Sequence, residues 1–240
     1  MRIISKDSVE IKTLDDYKSY APPKEEYQWK KDHSAMEFAK KMVNGSFDHE
    51  VCSIIQDLNI IEGYPEKHSY FDEFGGPRNH DLACIAEINN EKIVICVEAK
   101  ATENFGSNTV GKELDAARKK IEAGINTNIP KRISGICKLL WGNIELSTVS
   151  DIQYQLLHAT AGTIAFAKET KVEKAIFLIY QLETDKTNDI MLNEHFEAAQ
   201  SFVRLFGKEL VKNILCPIKT IDNIELTFLY MQKKKDQEKI

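Results

Sequence analysis

Three polar residues, Asp81, Glu98 and Lys100, are the clearest candidates for chemistry in this chain of 240 residues. Asp81 opens the apolar run DLACIAEI, whereas Glu98 and Lys100 close the apolar run KIVICVEAK. Two carboxylates held close together repel each other unless a cation lies between them, and such oxygen ligands suit Mg²⁺ or Mn²⁺. A metal bound there lowers the pKa of a water ligand and stabilises charge on phosphate oxygens. The pattern therefore predicts metal-dependent phosphate chemistry.

A predicted β-hairpin brings these residues together. Its two apolar runs are rich in β-branched residues and are separated by Asn89-Asn90, which is typical of a tight turn. A hairpin centred on that turn places Glu98 opposite Asp81, at the usual cross-strand distance of about 5 Å. Because side chains alternate along a strand, Glu98 and Lys100 share one face.

The role of Lys100 stays open at this point. Its ammonium group would either hold or help to deprotonate the attacking water, or would stabilise the pentavalent phosphorus. A structural alternative also exists, since charged residues at hairpin ends commonly form surface salt bridges. A lysine and a glutamate at the end of a strongly apolar central strand need partners if they are buried, however, and a joint site with Asp81 meets that need.

Hydrophobic periodicity and turn residues predict the elements around the hairpin. Ser34 and Glu37 form a capping box for a helix that ends at Asn44-Gly45, and Asp48 caps the helix that follows. The predicted helices span residues 34–43, 48–58, 110–123, 133–140, 152–169 and 192–207, and the predicted strands span residues 62–72, 81–88, 92–100, 174–182 and 225–231.

This order of elements predicts one domain over residues 1–240, with an α/β fold of the mixed α+β kind. Additional elements are expected at both ends of the chain, before residue 48 and after residue 181. In the helix over 152–169, the small residues of HATAGTIA predict close packing that offsets the cost of Gly162.

The two ends of the chain are expected to be less regular. Residues 1–33 carry Pro22-Pro23 and no sustained apolar period, which predicts an irregular arm with at most one short strand and little part in function. Residues 231–240 are rich in lysine and predict a flexible tail.

Asp81, sixteen intervening residues and then Glu98-Ala99-Lys100 resemble the signature of the PD-(D/E)XK nuclease superfamily. That superfamily has an αβββαβ, restriction-endonuclease-like core, and the elements predicted between residues 48 and 181 follow the same order. The resemblance therefore implies an αβββαβ core over about 48–181, with a central mixed sheet flanked by helices. His80 stands where the superfamily pattern has proline. The phrase GGPRNHD…VEAKATENFG also resembles a group of uncharacterised bacterial proteins assigned to this fold.

The resemblance implies a DNA nuclease that depends on Mg²⁺ or Mn²⁺, with Asp81 and Glu98 as metal ligands. Many members add a glutamate from the first core helix, and Glu50 occupies the corresponding place, where a contact with the helix dipole is the alternative. Some members carry a glutamine on the helix after the motif lysine. Gln155 resembles that glutamine, and Gln153 is a weaker candidate on the same helix.

Several other residues are candidates for supporting roles. His80 and His158 are expected near the site, although a lone histidine is more often a structural residue. Trp29, Trp141 and Tyr154 could stack on bases, although large aromatic residues usually belong to cores or interfaces.

The charge of the chain is unevenly distributed. A net charge of −5 argues against a protein that coats nucleic acid through bulk electrostatics. Between Lys100 and Lys138, however, eight basic residues outnumber four acidic ones. This stretch predicts contacts with a DNA backbone, and solvated helix pairs such as Asp115 with Lys119 are the alternative. The predicted nucleic-acid-binding residues are Lys112, Arg118, Lys119, Lys120, Lys131 and Arg132.

The composition also indicates where the protein is located and whether it contacts a membrane. No run approaches the roughly 18 apolar residues of a membrane helix and no signal-peptide core is present, so we expect a cytoplasmic protein without membrane contacts. Five widely spaced cysteines predict reduced, buried thiols.

The resemblance also implies a possible homodimer, since many such nucleases cut both strands as dimers. The alternative function is that of a catalytically inactive nuclease-fold protein that binds nucleic acid or a protein partner.

Overall fold

A mixed sheet of seven strands forms the centre of the protein. The computed structural model describes residues 1–23, 25–106, 108–220 and 223–233, and within those residues the chain forms seven α-helices and one sheet. The strands are Arg2–Ile3 (β1), Leu58–Ser69 (β2), Arg78–Ile88 (β3), Glu91–Lys100 (β4), Lys174–Leu182 (β5), Cys216–Ile218 (β6) and Glu225–Lys233 (β7). The helices are Leu14–Tyr20 (α1), Ser34–Val43 (α2), Ser46–Cys52 (α3), Val110–Glu122 (α4), Ile129–Trp141 (α5), Tyr154–Glu169 (α6) and Asp189–Arg204 (α7).

The strand order across the sheet is β1-β2-β3-β4-β5-β7-β6. Strands β2, β3 and β4 form an antiparallel meander, and β5 and β7 then add in parallel beyond β4. The elements α3, β2, β3, β4, α6 and β5 follow one another in the predicted αβββαβ order, with α4 and α5 inserted before α6. The predicted α/β fold class is therefore confirmed.

The hairpin of β3 and β4 has the predicted turn and register. Asn89 and Asn90 both have positive φ, at 52° and 65°, as a two-residue turn with the twist of a hairpin requires. Leu82 pairs with Val97, which fixes the register that was expected from the turn. Asn is one of the few residues other than glycine that adopts this conformation at low cost, so the turn residues select this pairing.

Side-chain alternation along β4 divides the core into two layers. Ile93 and Ile95 point to the layer covered by α1, α2 and α3. Val94 and Cys96 point to the layer covered by α5, α6 and α7. Every residue over 93–100 is buried, which confirms that β4 is a central strand.

The N-terminal segment is more regular than predicted. Besides β1 it contains α1 and a 3₁₀ helix over Glu26–Gln28. Thr13 and Asp16 form a capping box at the start of α1, in which each side chain accepts from the other residue's backbone N–H. Ile11 and Tyr17 are buried in the core. The prediction of an irregular arm over residues 1–33 is therefore wrong.

The caps of α2 and α3 also differ from the predicted ones. Helix α2 begins at Ser34 and has His33 at its N-cap, so Ser34 does not cap it. Helix α3 begins at Ser46, directly after Gly45, whose φ of 76° ends the preceding helix. Asp48 therefore lies inside the first turn of α3.

The C-terminal strand is longer than predicted. Residues 231–233 belong to β7, because Gln232 and Lys233 pair with Gln181 and Leu182 of β5. The expected tail therefore does not begin at residue 231. Residues 234–240, where the rest of that prediction falls, lie outside the described residues.

Two predictions made from the composition concern the cysteines and membrane-spanning helices. All five cysteines are free, and four are buried, whereas Cys52 is exposed. Among the helices of the described residues, none is long and apolar enough to cross a membrane.

Gly162 allows α6 to lie close to β3. A Cβ atom at this position would lie 2.6 Å from Arg78 Cγ, 2.7 Å from Arg78 Cβ and 3.0 Å from His80 Cε1. Close-packed interiors have no room for such an added atom without movement of the neighbours. The predicted close packing of the HATAGTIA segment is thus confirmed, and β3 is its partner.

We expect Gly162→Ala and Gly135→Ala to change the free energy of unfolding in opposite directions. A Cβ at Gly135, in α5, meets no atom within 4 Å, so alanine should stabilise the protein by about 0.5–1 kcal/mol. Gly162→Ala should destabilise it by about 1–3 kcal/mol through overpacking against Arg78. Urea unfolding measures both values. Equal stabilisation by the two variants would contradict the close approach of α6 and β3.

Candidate functional site

A cleft lies where β3 and β4 separate. The paired part of their ladder ends at Leu82 and Val97, and beyond it the Ala99 N–H donates to Asp81 Oδ2 at 2.7 Å. The cleft has a volume of about 330 Å³, and Asp81, Glu98 and Lys100 all line it. The structure therefore brings the three residues together, with the Asp81 carboxylate linking the two strands where their ladder stops.

Glu98 is buried and surrounded by hydrogen-bond donors. Its exposed fraction is only 2%. Lys100 Nζ lies 2.8 Å from Glu98 Oε1, and Gln155 Nε2 donates to the same oxygen at 2.6 Å. Arg78 Nη2 donates to Glu98 Oε2. A buried carboxylate without partners is strongly destabilising, so these three donors allow Glu98 to lie inside the protein.

Burial changes the pKa values of Lys100 and Asp81 in the directions that favour their uncharged forms. It lowers the pKa of Lys100 to about 8, although the Asp81 carboxylate opposes this change. It raises the pKa of Asp81, against the opposing charges of Lys100 and Arg78. Lys100 Nζ also lies 5.3 Å from the centroid of the Phe105 ring, a cation–π contact. The pKa of Lys100 therefore lies closer to neutral pH than that of an exposed lysine.

Glu66 is a third carboxylate in the cleft, and the sequence pattern did not reveal it. Its neighbours on β2 pair with Leu82 and His80, the residues on either side of Asp81. Asn79 Nδ2 donates to Glu66 Oε2. Burial raises the pKa of Glu66 to about 7, and the Asp81 carboxylate adds to this rise. The register of β2 against β3 was not predictable, because no short turn joins these strands.

Arg78 is the second cation of the site, and the sequence pattern missed it as well. Its side chain is buried beside α6, in the space that Gly162 leaves free. Burial lowers the pKa of Arg78, but a guanidinium group stays charged in proteins. The only available signal was its position three residues before Asp81, within a phrase, GGPRNHD, whose glycines and proline indicate a turn.

The predicted metal ligand Glu50 does not line the cleft. Its Oε1 lies 2.8 Å from Lys41 Nζ of α2, and its Oε2 accepts from the Tyr180 hydroxyl of β5 at 2.5 Å. Helix α3, which carries Glu50, packs on the face of the sheet opposite to α6, which carries Gln155. The prediction that Glu50 joins the metal ligands is therefore wrong.

Gln155 lies at the cleft as predicted, but the other candidates near α6 do not. Gln153 is the N-cap of α6. His80 is buried, and burial lowers its pKa well below the usual value. His158 lines an adjoining cavity of about 300 Å³ with Arg78 and Gln155, and burial lowers its pKa to about 3. Such low pKa values make both histidines poor general bases.

Most of the predicted nucleic-acid-binding residues are exposed on α4 and α5, outside the cleft. Arg118 Nη2 donates to Asp115 Oδ1 at 3.1 Å, which is a helix pair of the kind weighed as the alternative. The other exposed members of this set are Lys112, Lys119, Lys120 and Lys131.

Arg132 has a structural role instead. Its Nε lies 2.8 Å from Asp72 Oδ2, and its Nη2 donates to the Gly76 carbonyl at 2.6 Å. Its guanidinium group also lies over the Phe71 ring, 4.6 Å from the centroid. These contacts fasten the β2–β3 connection to α5, so the prediction that Arg132 binds a DNA backbone is not supported.

The cleft offers oxygen donors for a metal but no enclosed cage. Among the described residues, no group of three or more His, Cys, Asp and Glu side chains is arranged to hold a metal ion. Glu103 also lines the cleft, but its carboxylate accepts from the Ser34 N–H at 3.0 Å and contacts His33 Nδ1 at 3.2 Å. Mg²⁺ commonly takes only one or two protein carboxylates and keeps several waters. Asp81 and Glu98, which both line the cleft, would be the carboxylates of a site of that kind.

Comparison with known proteins gives a family without an assigned activity. The family described as a domain of unknown function (DUF6946) matches residues 10–235, so the chain belongs to that family. No curated protein and no solved structure matches the chain. The chemistry of the cleft is therefore the basis for any statement about function.

We expect Glu66→Gln to become more stable relative to the wild type as the pH rises. The pKa of Glu66 lies above its ordinary value of 4.5, so the folded state binds the proton more tightly than the unfolded state does. The contribution of Glu66 to the free energy of unfolding of the wild type therefore falls by about 3 kcal/mol as the pH rises from 4.5 to about 7. A glutamine does not titrate, so Glu66→Gln does not lose this stability.

Chemical unfolding of both proteins at several pH values measures this difference. Glu122→Gln, at an exposed position of α4, is the matched control. A stability difference between Glu66→Gln and the wild type that stays constant from pH 4.5 to pH 8 would show that Glu66 is not buried beside Asp81.

Proposed function

We propose that this protein is a metal-dependent phosphodiesterase that hydrolyses phosphodiester bonds in DNA. The observation that carries the proposal is the convergence of Asp81, Glu98 and Lys100 in one cleft, with Gln155 bonded to Glu98. The same four residues match the motif positions of the PD-(D/E)XK superfamily that the sequence resembles. The αβββαβ order of elements supports the same assignment.

Asp81 and Glu98 are the residues that would hold Mg²⁺ or Mn²⁺. The Asp81 carboxylate lies close enough to Glu66 to raise the pKa of Glu66, and a divalent cation beside the two groups would offset that repulsion. When bound, the metal lowers the pKa of a water ligand and stabilises the charge that develops on the phosphate.

Lys100 would hold the attacking water and accept its proton. Its pKa of about 8 leaves part of the population neutral at physiological pH, which suits proton transfer. The water oxygen forms a new bond to phosphorus, the bond from phosphorus to the leaving oxygen breaks in line, and the leaving oxygen takes a proton from solvent. Gln155 and Arg78 hold the two oxygens of Glu98 in place during this step.

DNA is the proposed polymer, and the exposed basic residues of α4 are its proposed backbone contacts. Lys112, Lys119 and Lys120 share this helix, whose N-cap, Thr109, follows the loop after β4. Phosphate affinity comes from such side chains because they replace condensed counterions. The homodimer implied by the resemblance stays a prediction.

A catalytically inactive nuclease-fold protein that binds nucleic acid or a protein is the second candidate. One observation favours it: both oxygens of Glu98 already have donors, from Arg78 on one side and from Lys100 and Gln155 on the other. A carboxylate with these partners is satisfied without any further cation. The two candidates differ in whether the cleft binds metal and cuts DNA.

We expect wild-type protein and Glu50→Gln to nick supercoiled DNA in Mg²⁺ or Mn²⁺ but not in EDTA. Glu98→Gln should lower the rate about a hundredfold or more, because it removes a charge that acts in the transition state. Glu50→Gln is the matched control, since the Glu50 carboxylate does not line the cleft and the glutamine amide oxygen can still accept from Tyr180. Gel electrophoresis of the plasmid forms measures the rates.

Glu98→Gln leaves Arg78 and Lys100 with a neutral partner, and this loss could unfold the protein. Asp81→Asn is therefore measured beside it, and circular dichroism checks that each variant is folded. Equal cleavage by the wild type, Asp81→Asn and Glu98→Gln would contradict the assigned site. An inactive wild type that still binds DNA would favour the second candidate.

A further inference from the structure

The lining of the cleft also contains a stacked aromatic pair. Tyr17 and Trp29 have ring centroids 5.9 Å apart and an interplanar angle of 18°. Both rings line the cleft that holds Asp81 and Glu98. Tyr17 is buried, whereas Trp29 is only half-buried, so the tryptophan is the accessible member of the pair.

The aromatic pair is held in a fixed place relative to the carboxylates. The chain just after Trp29 is tied to the loop that follows Lys100, because the Ser34 N–H donates to Glu103 at 3.0 Å and Thr102 Oγ1 donates to the Asp32 carbonyl at 3.3 Å. Within one cleft the protein therefore presents a preorganised aromatic surface and an acidic, lysine-containing surface.

Trp29 is distinct from the other two aromatic residues considered for base stacking. Trp141 packs against Phe202 and Phe206 in the core, with ring centroids 6.0 and 4.9 Å away. Tyr154 lines the adjoining cavity with His158. Of these three residues, only Trp29 lines the cleft that contains Asp81 and Glu98.

The size of the cleft decides which form of nucleic acid can reach the carboxylates. A volume of about 330 Å³ is in the range of small-ligand pockets and accommodates one nucleotide. A paired double helix is far wider, so base pairs cannot enter, whereas an unpaired base can leave its stack and lie on an aromatic ring. A nucleotide whose base stacks on Trp29 would have its phosphate in the same cleft as Asp81 and Lys100.

We infer that the cleft takes a single unpaired nucleotide, whose base stacks on Trp29 while its phosphate faces Asp81 and Lys100. This inference rests on the proposed function, since it assumes that nucleic acid is the substrate. The substrate class is then unpaired DNA: a single strand, a frayed or single-stranded end, or a locally opened segment of a supercoiled plasmid. Because every base offers a π face, the stacking contact favours unpaired strands without selecting a sequence.

A binding experiment without cleavage tests the inference. A fluorescein-labelled single-stranded DNA octamer is titrated with full-length protein in Ca²⁺, and anisotropy gives the Kd. The variants are Trp29→Ala, Trp29→Phe and Tyr27→Ala; Tyr27 is the matched control, because it lies in the same segment, is 59% exposed and does not line the cleft. In Trp141→Phe, Trp29 is the sole tryptophan, and its emission reports on stacking directly.

We expect Trp29→Ala to raise the Kd about tenfold to a hundredfold, in line with the loss of one stacked base, whereas Trp29→Phe and Tyr27→Ala bind nearly as the wild type does. The emission of Trp29 should change saturably with single strands, and a blunt duplex of the same sequence should compete at least about tenfold less well.

Three results would overturn the inference: no binding of the octamer by the wild type, equal Kd values for Trp29→Ala and Tyr27→Ala, or equal competition by the blunt duplex. Failure of the proposed function has a different signature. Trp29-dependent binding of single strands without any metal-dependent cleavage would sustain the inference and reject the enzyme. Cleavage that needs Glu98 but is unaffected by Trp29→Ala would sustain the proposed enzyme and reject the inference about base stacking.

Discussion

The burial of Glu98 is the constraint on which this end of the sheet depends. A carboxylate with 2% exposure needs compensating charge and hydrogen bonds, and three elements supply them: β3 through Arg78, β4 through Lys100 and α6 through Gln155. The long side chain of Arg78 in turn requires the space above Gly162. The close packing of α6 on the sheet and the polar site are therefore parts of one arrangement.

The separation of β3 from β4 turns this arrangement into a cleft. Where the ladder stops, Asp81 accepts from the Ala99 N–H, and Glu66 approaches from β2. Acidic groups therefore collect in a cleft that the N-terminal segment also lines. Carboxylates gathered beside a lysine with a lowered pKa are costly for stability. A cost of this kind is typical of functional sites, where local rules are broken for the sake of chemistry.

What the sequence predicted well depends on local rules. The turn at Asn89-Asn90 and side-chain alternation fixed the position of Glu98 relative to Asp81. Gln155 was predicted from the resemblance to the nuclease superfamily, and it lies at Glu98 as that resemblance implied. What it missed depends on long-range geometry. Glu66 needed the register between two strands joined by a long connection, and the cleft wall at Trp29 needed the path of the N-terminal segment, which no short turn determines. Glu50 was predicted from a family pattern, but its helix, α3, packs on the face of the sheet opposite to α6.

Crystallography of the protein soaked in Mn²⁺, with data collected at the manganese absorption edge, tests the central claim most directly. We expect an anomalous peak in the cleft, within coordination distance of a carboxylate oxygen of Asp81 and one of Glu98. A cleft without a peak at saturating Mn²⁺, in which Arg78 and Lys100 remain paired with Glu98, would contradict it. The site would then be a buried charge network rather than a metal centre.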